Sequence, residues 1–386
     1  MKAIIEHWYF WSITTVAGLA IRRQRPVIIG ITGSVGKTSM RVAIAHLLAT
    51  AGFTVTGGGS HNLNSSLGLA LASLGFDQSP AGLWGWFTAW WQAQARAWSL
   101  ILGLTHLPQY LVLEYGVDRF GDMADLLKIA RPTVAVMSWI GQGQHLLYLE
   151  SPARIAEEKG QLLAAVPADG LVIFNRHESA QIKKILTKLA AAPIRQLEST
   201  GLAAIDEALW QIGQYFGLSN QQIRQAIKSR PAIKGRLIEL AGVNRSVIID
   251  DSYNSAFDSV KLALDYLAAR PGKRHWALLG DMLEIGAAER TAHRQIIDYA
   301  SSRADRLITV GRRYRQAGSR ESYQSAEAAA SILKNELRSG DVILIKGSQS
   351  MRMELASLAL AASPTEAKAK LPRMTPSWLA KPYREP

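Results

Sequence analysis

The segment GITGSVGKTSM at residues 30–40 constrains the fold more than any other part of this sequence. It follows a β-branched run at 27–29 that is typical of a buried strand, and residues 38–50 have the pattern of a helix. A glycine-rich turn between a strand and a helix directs backbone N–H groups and the helix dipole at an anion. The spacing differs from the usual phosphate loop, because Ile31 stands where the first glycine is expected. The order of strand, loop, Gly-Lys-Thr and helix still favours a phosphate site over a plain glycine-rich turn.

The side chains of this loop indicate how it would hold a nucleotide. Lys37 supplies a point charge for the β- and γ-phosphate oxygens, and the Thr38 hydroxyl can bind Mg²⁺. The residues expected to contact the nucleotide are Gly33, Ser34, Gly36, Lys37, Thr38 and Ser39.

Composition narrows the class of protein. The chain has 386 residues, 48% of them hydrophobic and 19% charged, which fits two or three globular domains. It contains no cysteine, so disulfides and thiolate metal sites are excluded and a reducing cytoplasm is expected. The net charge of +13 attracts nucleotides, acidic substrates, anionic membranes or nucleic acid. Because the sequence contains no nucleic-acid recognition motif, we expect no nucleic-acid partner.

The N-terminal segment, residues 1–25, is predicted to be helical. Residues 8–21 carry no formal charge, but these 14 residues are too few to span a bilayer as a helix. Arg22, Arg23 and Arg25 follow directly. A cleaved signal peptide would carry an ATP site away from ATP, so we expect a helix that lies on the domain or on a membrane surface.

Strand-like and helical patterns alternate through the first half of the chain. The runs typical of strands are 27–31, 110–114, 133–137 and 171–174. This alternation predicts an α/β fold in which helices cover a mostly parallel sheet. Residues 203–229 have helical patterns, with a serine cap before the last helix.

A second alternation begins near residue 236. Its strand-like runs are 247–250, 276–279, 307–310 and 342–346, and they predict a smaller, Rossmann-like α/β domain. The expected boundaries are 26–235 for the central ATP-binding domain and 236–362 for the C-terminal domain. Residues 363–386 are expected to form a basic, proline-containing tail that is disordered or peripheral.

The stretch LWGWFTAWWQAQARAWSLIL at residues 83–102 contains five of the eleven tryptophans. One face of its predicted helix carries Trp84, Phe87, Trp91, Ala95, Trp98 and Leu102. Packing of this face against the sheet is the favoured interpretation, and a helix in a membrane interface is the alternative.

Polar residues end several of the predicted strands. Glu114 ends a strand of the first sheet, while Asp250 and Asp251 end the first strand of the second domain. Open α/β sheets bind their ligands at the carboxyl edge, so these carboxylates are candidate ligand contacts. A lone carboxylate at a strand end is usually structural, but Glu114 is predicted to share a sheet with the phosphate loop.

Eight segments occur in the order found in the Mur ligase family. They are GITGSVGKTS, HNLNSSLG, LEYGVDRFGDM, IAEEKGQLL, KGR, DDSYNS, LGDMLEIG and KGSQSMRME. The chain resembles this family over residues 26–362, and the family's phosphate loop has the same displaced glycine. Only about 25 residues precede the loop strand, so the resemblance implies a shortened form that lacks the N-terminal UDP-binding domain.

The resemblance implies an ATP-dependent ligase that forms an amide bond by way of an acyl phosphate. The implied substrates are a UDP-N-acetylmuramoyl tripeptide and D-alanyl-D-alanine, in peptidoglycan precursor synthesis, and the implied cofactors are ATP and two Mg²⁺ ions. We expect a monomeric cytoplasmic enzyme in peripheral contact with the inner membrane surface.

The resemblance also implies the site residues. Those implied to act in catalysis are Lys37, Lys159, His145 and Arg236. The implied Mg²⁺ ligands are Thr38, Glu114, His145 and Lys159, and Arg236 and Asp251 are implied to bind the nucleotide. The implied substrate contacts are Asn62, Asn64, Asp281, Glu284, Lys346 and Ser348.

Lys159 stands out on its own helical pattern. It falls in one apolar row with Ile155, Leu162 and Val166, where burial would lower the pKa of its amine. The resemblance implies that the neutral amine reacts with CO₂ to give a carbamate that acts as a metal ligand. The alternative is an extended lysine whose head reaches solvent and pairs with Glu157 or Glu158.

Two other functions fit the same residues. The first is a ligase of the same type for a different carboxylate and amine, and the second is a nucleotide-binding partner without catalysis. Retention of Lys37, Glu114 and Lys159 argues against the second, since a scaffold needs no metal site. The family branch with a four-cysteine zinc site is excluded by the absence of cysteine.

Overall fold

The computed structural model describes residues 2–57, 63–76, 80, 82–141, 151–283 and 285–380, with only the backbone of 2–7, 83 and 287. The described chain forms two compact units. Unit 1 contains residues up to 140 and residues 151–231, and unit 2 contains residue 141 and residues 232–380.

Unit 1 is built on a parallel six-stranded sheet with the order β2-β3-β1-β4-β5-β6. Its strands are β1 Val27–Thr32, β2 Val55–Thr56, β3 Tyr110–Glu114, β4 Val134–Met137, β5 Leu171–Asn175 and β6 Ile194–Leu197. The central strands are buried except for the first residues of β1 and β3, as expected for a parallel sheet with helices on both faces. The predicted mostly parallel sheet is confirmed.

Nine helices of unit 1 are described. They are α1 Lys2–Gln24, α2 Lys37–Thr50, α3 Ser66–Ser73, α4 Gly82–Ile101, α5 Asp122–Ile129, α6 Pro152–Ala164, α7 Ala180–Leu189, α8 Gly201–Tyr215 and α9 Asn220–Lys228. The predicted serine cap is present: Ser219 accepts from the backbone N–H of Gln222, whose side chain accepts in return from Ser219. Helix α1 packs against α3, α4 and α5 through its buried side chains Ile13, Ala17 and Ala20.

The aromatic row of α4 is exposed, so the favoured prediction that it packs against the sheet is wrong. Trp84 is 80% exposed, and Phe87, Trp91 and Trp98 are each at least half exposed. The opposite face of α4 is buried instead, and it carries Ala89, Ala93, Ala97 and Leu100. Because small side chains allow close approach between helices, the alanine row is the face of α4 nearest α1 and the aromatic row is displaced outward.

Unit 2 contains a second six-stranded sheet with the order β11-β10-β9-β12-β8-β7, parallel except for the antiparallel edge pair β7 and β8. Its strands are β7 Ile238–Ala241, β8 Val247–Asp251, β9 Arg274–Gly280, β10 Arg306–Val310, β11 Ser322–Tyr323 and β12 Asp341–Lys346. Its helices are α10 Phe257–Ala269, α11 Glu289–Ala300, α12 Arg312–Gln316, α13 Ala326–Glu336, α14 Glu354–Leu360, α15 Pro364–Lys370 and α16 Pro376–Leu379.

The strands of unit 2 contribute alternately to two cores. Ile248 and Ile343 belong to one core, while their neighbours Ile249 and Leu344 belong to the other. A period of two sends successive side chains to opposite faces, so both faces of this sheet are covered by helices. The predicted second α/β fold is confirmed.

The C-terminal tail is part of unit 2 as far as it is described. Helices α15 and α16 lie within it, and Ala367 and Leu371 are buried in the core. Arg373 donates to Glu354 at 2.6 Å and to the backbone oxygen of Ser252 at 2.6 Å. The expectation of a disordered or peripheral tail is therefore wrong for residues 363–380, because the tail contributes both core side chains and a buried ion pair.

This ion pair gives a stability prediction. Arg373→Ala leaves the buried carboxylate of Glu354 with one guanidinium fewer, and breaking a buried pair costs about 3 kcal/mol. We expect the free energy of unfolding, measured by urea titration, to fall by about that amount. Lys368→Ala, an exposed change in the same tail, is the control and should be neutral. Equal stability of the two variants would show that the tail does not hold unit 2 together.

None of the described helices is long and apolar enough to cross a lipid bilayer.

Candidate nucleotide-binding and catalytic site

The loop between β1 and α2 is shaped by two glycines. Gly36, which precedes α2, has φ 85°, and Gly33 has φ 135°. A Cβ on Gly33 would lie 2.2 Å from Ser138 Oγ, so only glycine fits. The Ser138 hydroxyl donates to the backbone oxygen of Val35 at 2.7 Å, which ties the loop to the end of β4. The displaced glycine spacing therefore still gives a closed, supported loop.

The inside of this loop fits an anion. Among the residues that the structure describes, the buried Ser34 Oγ has no hydrogen-bond partner. Lys37 Nζ donates to the backbone oxygen of Gly33 at 2.9 Å, so its charge is held at the loop. A buried hydroxyl without a partner is costly, and a phosphate oxygen would supply the missing partner.

Thr38 and Glu114, two of the predicted Mg²⁺ ligands, lie side by side. Thr38 Oγ1 donates to Glu114 Oε2 at 2.9 Å, and both side chains are buried. The sheet register places Ile31 opposite Glu114, so the loop and the carboxylate leave the same edge of adjacent strands. A hydroxyl and a carboxylate are the oxygen ligands that Mg²⁺ prefers when phosphates complete its shell. Within the described part of the chain, no group of three or more His, Asp or Glu side chains could hold a metal ion alone.

Two further side chains surround Glu114. Arg41 Nε lies 3.6 Å from Glu114 Oε2, and Asn64 Nδ2 donates to Glu114 Oε1 at 3.4 Å. Asn64 is one of the predicted substrate contacts. Arg41 was not predicted, although its spacing of three residues after Thr38 on α2 places both side chains on one helix face.

Lys159 is buried on α6, as its apolar row predicts. Its Nζ donates to the backbone oxygen of Val117, three residues after the end of β3, at 3.1 Å. Burial, with a smaller contribution from the charge of Lys37, lowers the pKa of the Lys159 amine to about 7. The alternative of an extended lysine with a solvated head does not agree with this position, and Glu158 accepts instead from the backbone N–H of Met123.

Three of the predicted site residues cannot be placed. Asn62, His145 and Glu284 lie outside the described residues. The structure thus brings together Lys37, Thr38, Glu114, Asn64 and Lys159 in unit 1 and does not test the remainder of the predicted metal set.

The predicted residues of unit 2 gather at the carboxyl ends of β8, β9 and β12. Lys346 Nζ donates to Asp251 at 2.6 Å, so these two candidates form an ion pair. Ser348 Oγ accepts from the backbone N–H of Leu283 at 2.8 Å. The guanidinium of Arg236 lies over the ring of Tyr253, 4.6 Å from its centre.

Asp281 has a clear structural task. Its two carboxylate oxygens accept from the backbone N–H groups of Arg313 and Tyr314, at the start of α12. Burial nevertheless raises the pKa of this carboxyl. Its role in substrate binding stays a prediction.

The fold and the loop define a nucleotide-binding α/β protein of the P-loop class, joined to a second α/β unit. The Mur ligase middle domain matches residues 98–227, and the Mur ligase glutamate ligase domain matches residues 235–349. The chain belongs to the Mur ligase family.

Two curated proteins similar to this chain are ligases that carry the same name. The UDP-N-acetylmuramoyl-tripeptide–D-alanyl-D-alanine ligase of Escherichia coli (strain K12) is 25% identical, over 88% of this chain and 78% of the relative. The enzyme of that name from Mycobacterium tuberculosis (strain CDC 1551 / Oshkosh) is 28% identical, over 88% of this chain and 73% of the relative.

Solved structures show the same fold. The MurF ligase of Thermotoga maritima, determined in complex with ADP, gives a TM-score of 0.73 at 20% identity, covering 93% of this chain and 84% of that one. A bifunctional folylpolyglutamate synthase/dihydrofolate synthase gives 0.61 at 16% identity, covering 88% of this chain and 92% of that one. The predicted family and fold are confirmed.

Proposed function

We propose that this chain is an ATP-dependent ligase that adds D-alanyl-D-alanine to a UDP-N-acetylmuramoyl tripeptide in peptidoglycan precursor synthesis. The γ-phosphoryl group of ATP passes to the tripeptide carboxylate and gives an acyl phosphate and ADP. The dipeptide amine then attacks the acyl carbon, phosphate leaves, and the amine loses a proton as the amide forms. The chain acts as a monomer.

The observation that carries this proposal is the contact between Thr38 and Glu114 at the exit of the phosphate loop. It places a carboxylate, a hydroxyl and the Lys37 charge at one edge of the sheet, next to a buried hydroxyl that lacks a partner. This arrangement favours a phosphate site over a purely structural loop, because the buried Ser34 hydroxyl costs free energy until a ligand oxygen accepts its hydrogen bond.

The residues of unit 1 divide the phosphoryl step among them. Lys37 and the backbone N–H groups of the loop hold the β- and γ-phosphates in position, and Ser34 donates to a phosphate oxygen. Thr38 and Glu114 would hold Mg²⁺, which supplies neutralisation of phosphate charge. We assign Arg41 a positioning role, because its guanidinium lies within 3.6 Å of Glu114 and fixes the direction of that carboxylate.

Lys159 is the second lysine of unit 1 to which we assign a role, and its amine is buried. We propose that its neutral amine adds to CO₂ and loses a proton, giving a carbamate that replaces a cation by an anionic oxygen ligand. Burial supports this proposal, since a pKa of about 7 leaves a substantial neutral fraction at neutral pH. A second Mg²⁺ beside His145 belongs to the same proposal.

The predicted site residues of unit 2 are proposed to bind the nucleotide and the dipeptide. Asp251, which pairs with Lys346, and Arg236 are proposed to bind the nucleotide. Lys346 and Ser348 are the proposed contacts of the dipeptide, together with Asp281 and Glu284.

ATP use places the proposed reaction in the cytoplasm. Contact with the inner membrane surface is proposed to be peripheral and to involve α1 and α4.

Turnover tests this function directly. We expect ADP release with Mg²⁺ only when a UDP-N-acetylmuramoyl tripeptide and D-alanyl-D-alanine are both present, because phosphoryl transfer needs the carboxylate and completion needs the amine. The measurement is ADP release in a coupled assay, with each substrate omitted in turn as control.

Other outcomes of this assay separate the alternatives. Release with a different carboxylate and amine, and none with this pair, would replace the substrates but keep the ligase. ATP binding without release for any pair would leave a nucleotide-binding partner that does not catalyse.

A further inference from the structure

Helix α4 exposes its large aromatic side chains and buries its small ones, whereas a helix packed on a core usually does the reverse. Its buried row is made of alanines and one leucine, and its exposed row is aromatic over residues 84–98. The exposed row contains no charged residue, and Arg96 is the single charge of the helix. An aromatic row of this length in water has a large unfavourable hydration free energy, which a binding surface would remove.

Helix α1 extends this surface. The residues Trp8, Trp11, Leu19, Arg22 and Arg23 are all exposed, and the 3.6-residue period of the helix places them on one side of α1. Its apolar members come first and its two arginines stand at the C-terminal end.

The two helices form one continuous patch. The rings of Trp8 and Trp90 are 5.5 Å apart between centres, and those of Trp90 and Trp91 are 5.4 Å apart. Trp90 Nε1 donates to Ser12 Oγ at 2.9 Å, and Tyr9 donates to the backbone oxygen of Trp86 at 2.8 Å. These contacts fix α1 and α4 against each other, so the patch is preorganised. We call it the aromatic face: Trp8, Trp11, Trp84, Phe87, Trp91 and Trp98.

We infer that the aromatic face docks on the surface of an anionic phospholipid bilayer. Indole rings combine a large apolar area with an N–H donor, which suits the boundary between headgroups and acyl chains. Arg22 and Arg23 lie on the same side of α1 as Trp8 and Trp11, so basic charge accompanies the apolar contact. The net charge of +13 adds a long-range attraction to anionic lipid.

The geometry indicates how the protein would meet the bilayer. The aromatic row runs along the side of α4, so contact extends along the helix axis and the indoles enter the headgroup region side by side. The alanine row stays packed on α1 within unit 1. This inference rests on the peripheral membrane contact proposed above and does not depend on catalysis.

The test is flotation of the full chain with vesicles. Wild type should float with phosphatidylglycerol-containing vesicles, more weakly with pure phosphatidylcholine vesicles, and less as salt rises. The double variant Trp91→Ser/Trp98→Ser should lose affinity by at least about tenfold, because each indole contributes apolar contact. Ile332→Ser, an exposed apolar change on α13 in unit 2, is the matched control and should float like wild type.

Charge-reversal variants test the contribution of the arginines to lipid binding, and ADP release distinguishes loss of lipid binding from loss of ligase function. Arg22→Glu/Arg23→Glu should weaken flotation with anionic vesicles more than Arg290→Glu/Arg320→Glu, an exposed control in unit 2 with the same change of net charge. All these variants should keep the wild-type rate of ADP release without vesicles, so loss of lipid binding and loss of ligase function are distinguishable. Two results would overturn the inference: equal flotation of the tryptophan variant and wild type, or self-association in sedimentation that the tryptophan variant abolishes while vesicles bind neither protein.

Discussion

Lys37→Ala is expected to reduce the rate of ADP release by at least about 10²–10³-fold, the effect of removing one preorganised group from the transferring charge. Lys37 Nζ is held at the phosphate loop by the backbone oxygen of Gly33. Truncation therefore removes a fixed positive charge and leaves the loop glycines, Ser34 and Thr38 in place. The loss should appear in kcat as well as kcat/KM, since the charge matters most as the phosphoryl group moves.

The fold should survive this change. Lys37 is only half-buried, so the melting temperature of the variant should match wild type. Lys184→Ala, an exposed lysine on α7 of the same unit, is the matched control and should keep full activity. An active Lys37→Ala variant would mean that ATP binds elsewhere.

Lys159→Ala is expected to remove most of the activity. If a carbamate forms on the Lys159 amine, alanine removes an anionic ligand from beside the phosphates, and a short carboxylic acid such as acetate should restore part of the rate. Lys188→Ala, exposed on α7, provides the control for a change of net charge alone. Full activity of the Lys159 variant, or a wild-type rate that does not respond to removal of CO₂, would contradict the carbamate.

Lys159 also predicts how the free energy of unfolding changes with pH. Its pKa is about 7 in the folded protein and 10.5 in an ordinary lysine, so the folded state binds fewer protons than the unfolded state between these values. Stability contributed by this group therefore rises as pH increases from about 7 to 10.5. Lys159→Met keeps the volume and removes the titration, so in CO₂-free buffer, where the amine is not carbamylated, wild type should gain stability over this variant across that window. A constant difference would show that the amine is not desolvated as the fold implies.

Much of the fold could be predicted from sequence periodicity. Eight strands were predicted close to their observed bounds, because short β-branched runs bounded by turns favour strands when both faces of a sheet are buried; they are β1, β3, β4, β5, β8, β9, β10 and β12. The short edge strands β2 and β11 were not predicted. Helix α9 was predicted together with its cap, since Ser219 and Gln222 make a local hydrogen-bonded pair that depends on four consecutive residues.

The helical periodicity of α4 was also visible in the sequence, but the side that is buried was not. A helix with an aromatic row on one side and an alanine row on the other could bury either side, and the greater hydrophobicity of the aromatic row predicts that this row is buried. The tertiary structure buries the alanine row because α1 approaches closely there. The tail was misjudged for a similar reason: its proline and basic content suggests disorder, whereas Glu354 and the core of unit 2 provide its partners.

Part of the candidate site could also be predicted from local sequence, and part depends on the tertiary structure. Gly33, Gly36, Lys37 and Thr38 could be assigned from consecutive residues, because a phosphate loop is a local structure whose geometry follows from its own glycines. The burial of Lys159 also followed from its helical row. The distances that make a site of these residues are long-range: Thr38 meets Glu114 only because β1 pairs with β3, and Arg41 joins them only because α2 lies over that edge. Pairing of residues 83 positions apart in the chain is a property of packing, and no local pattern specifies which side chains it will bring together.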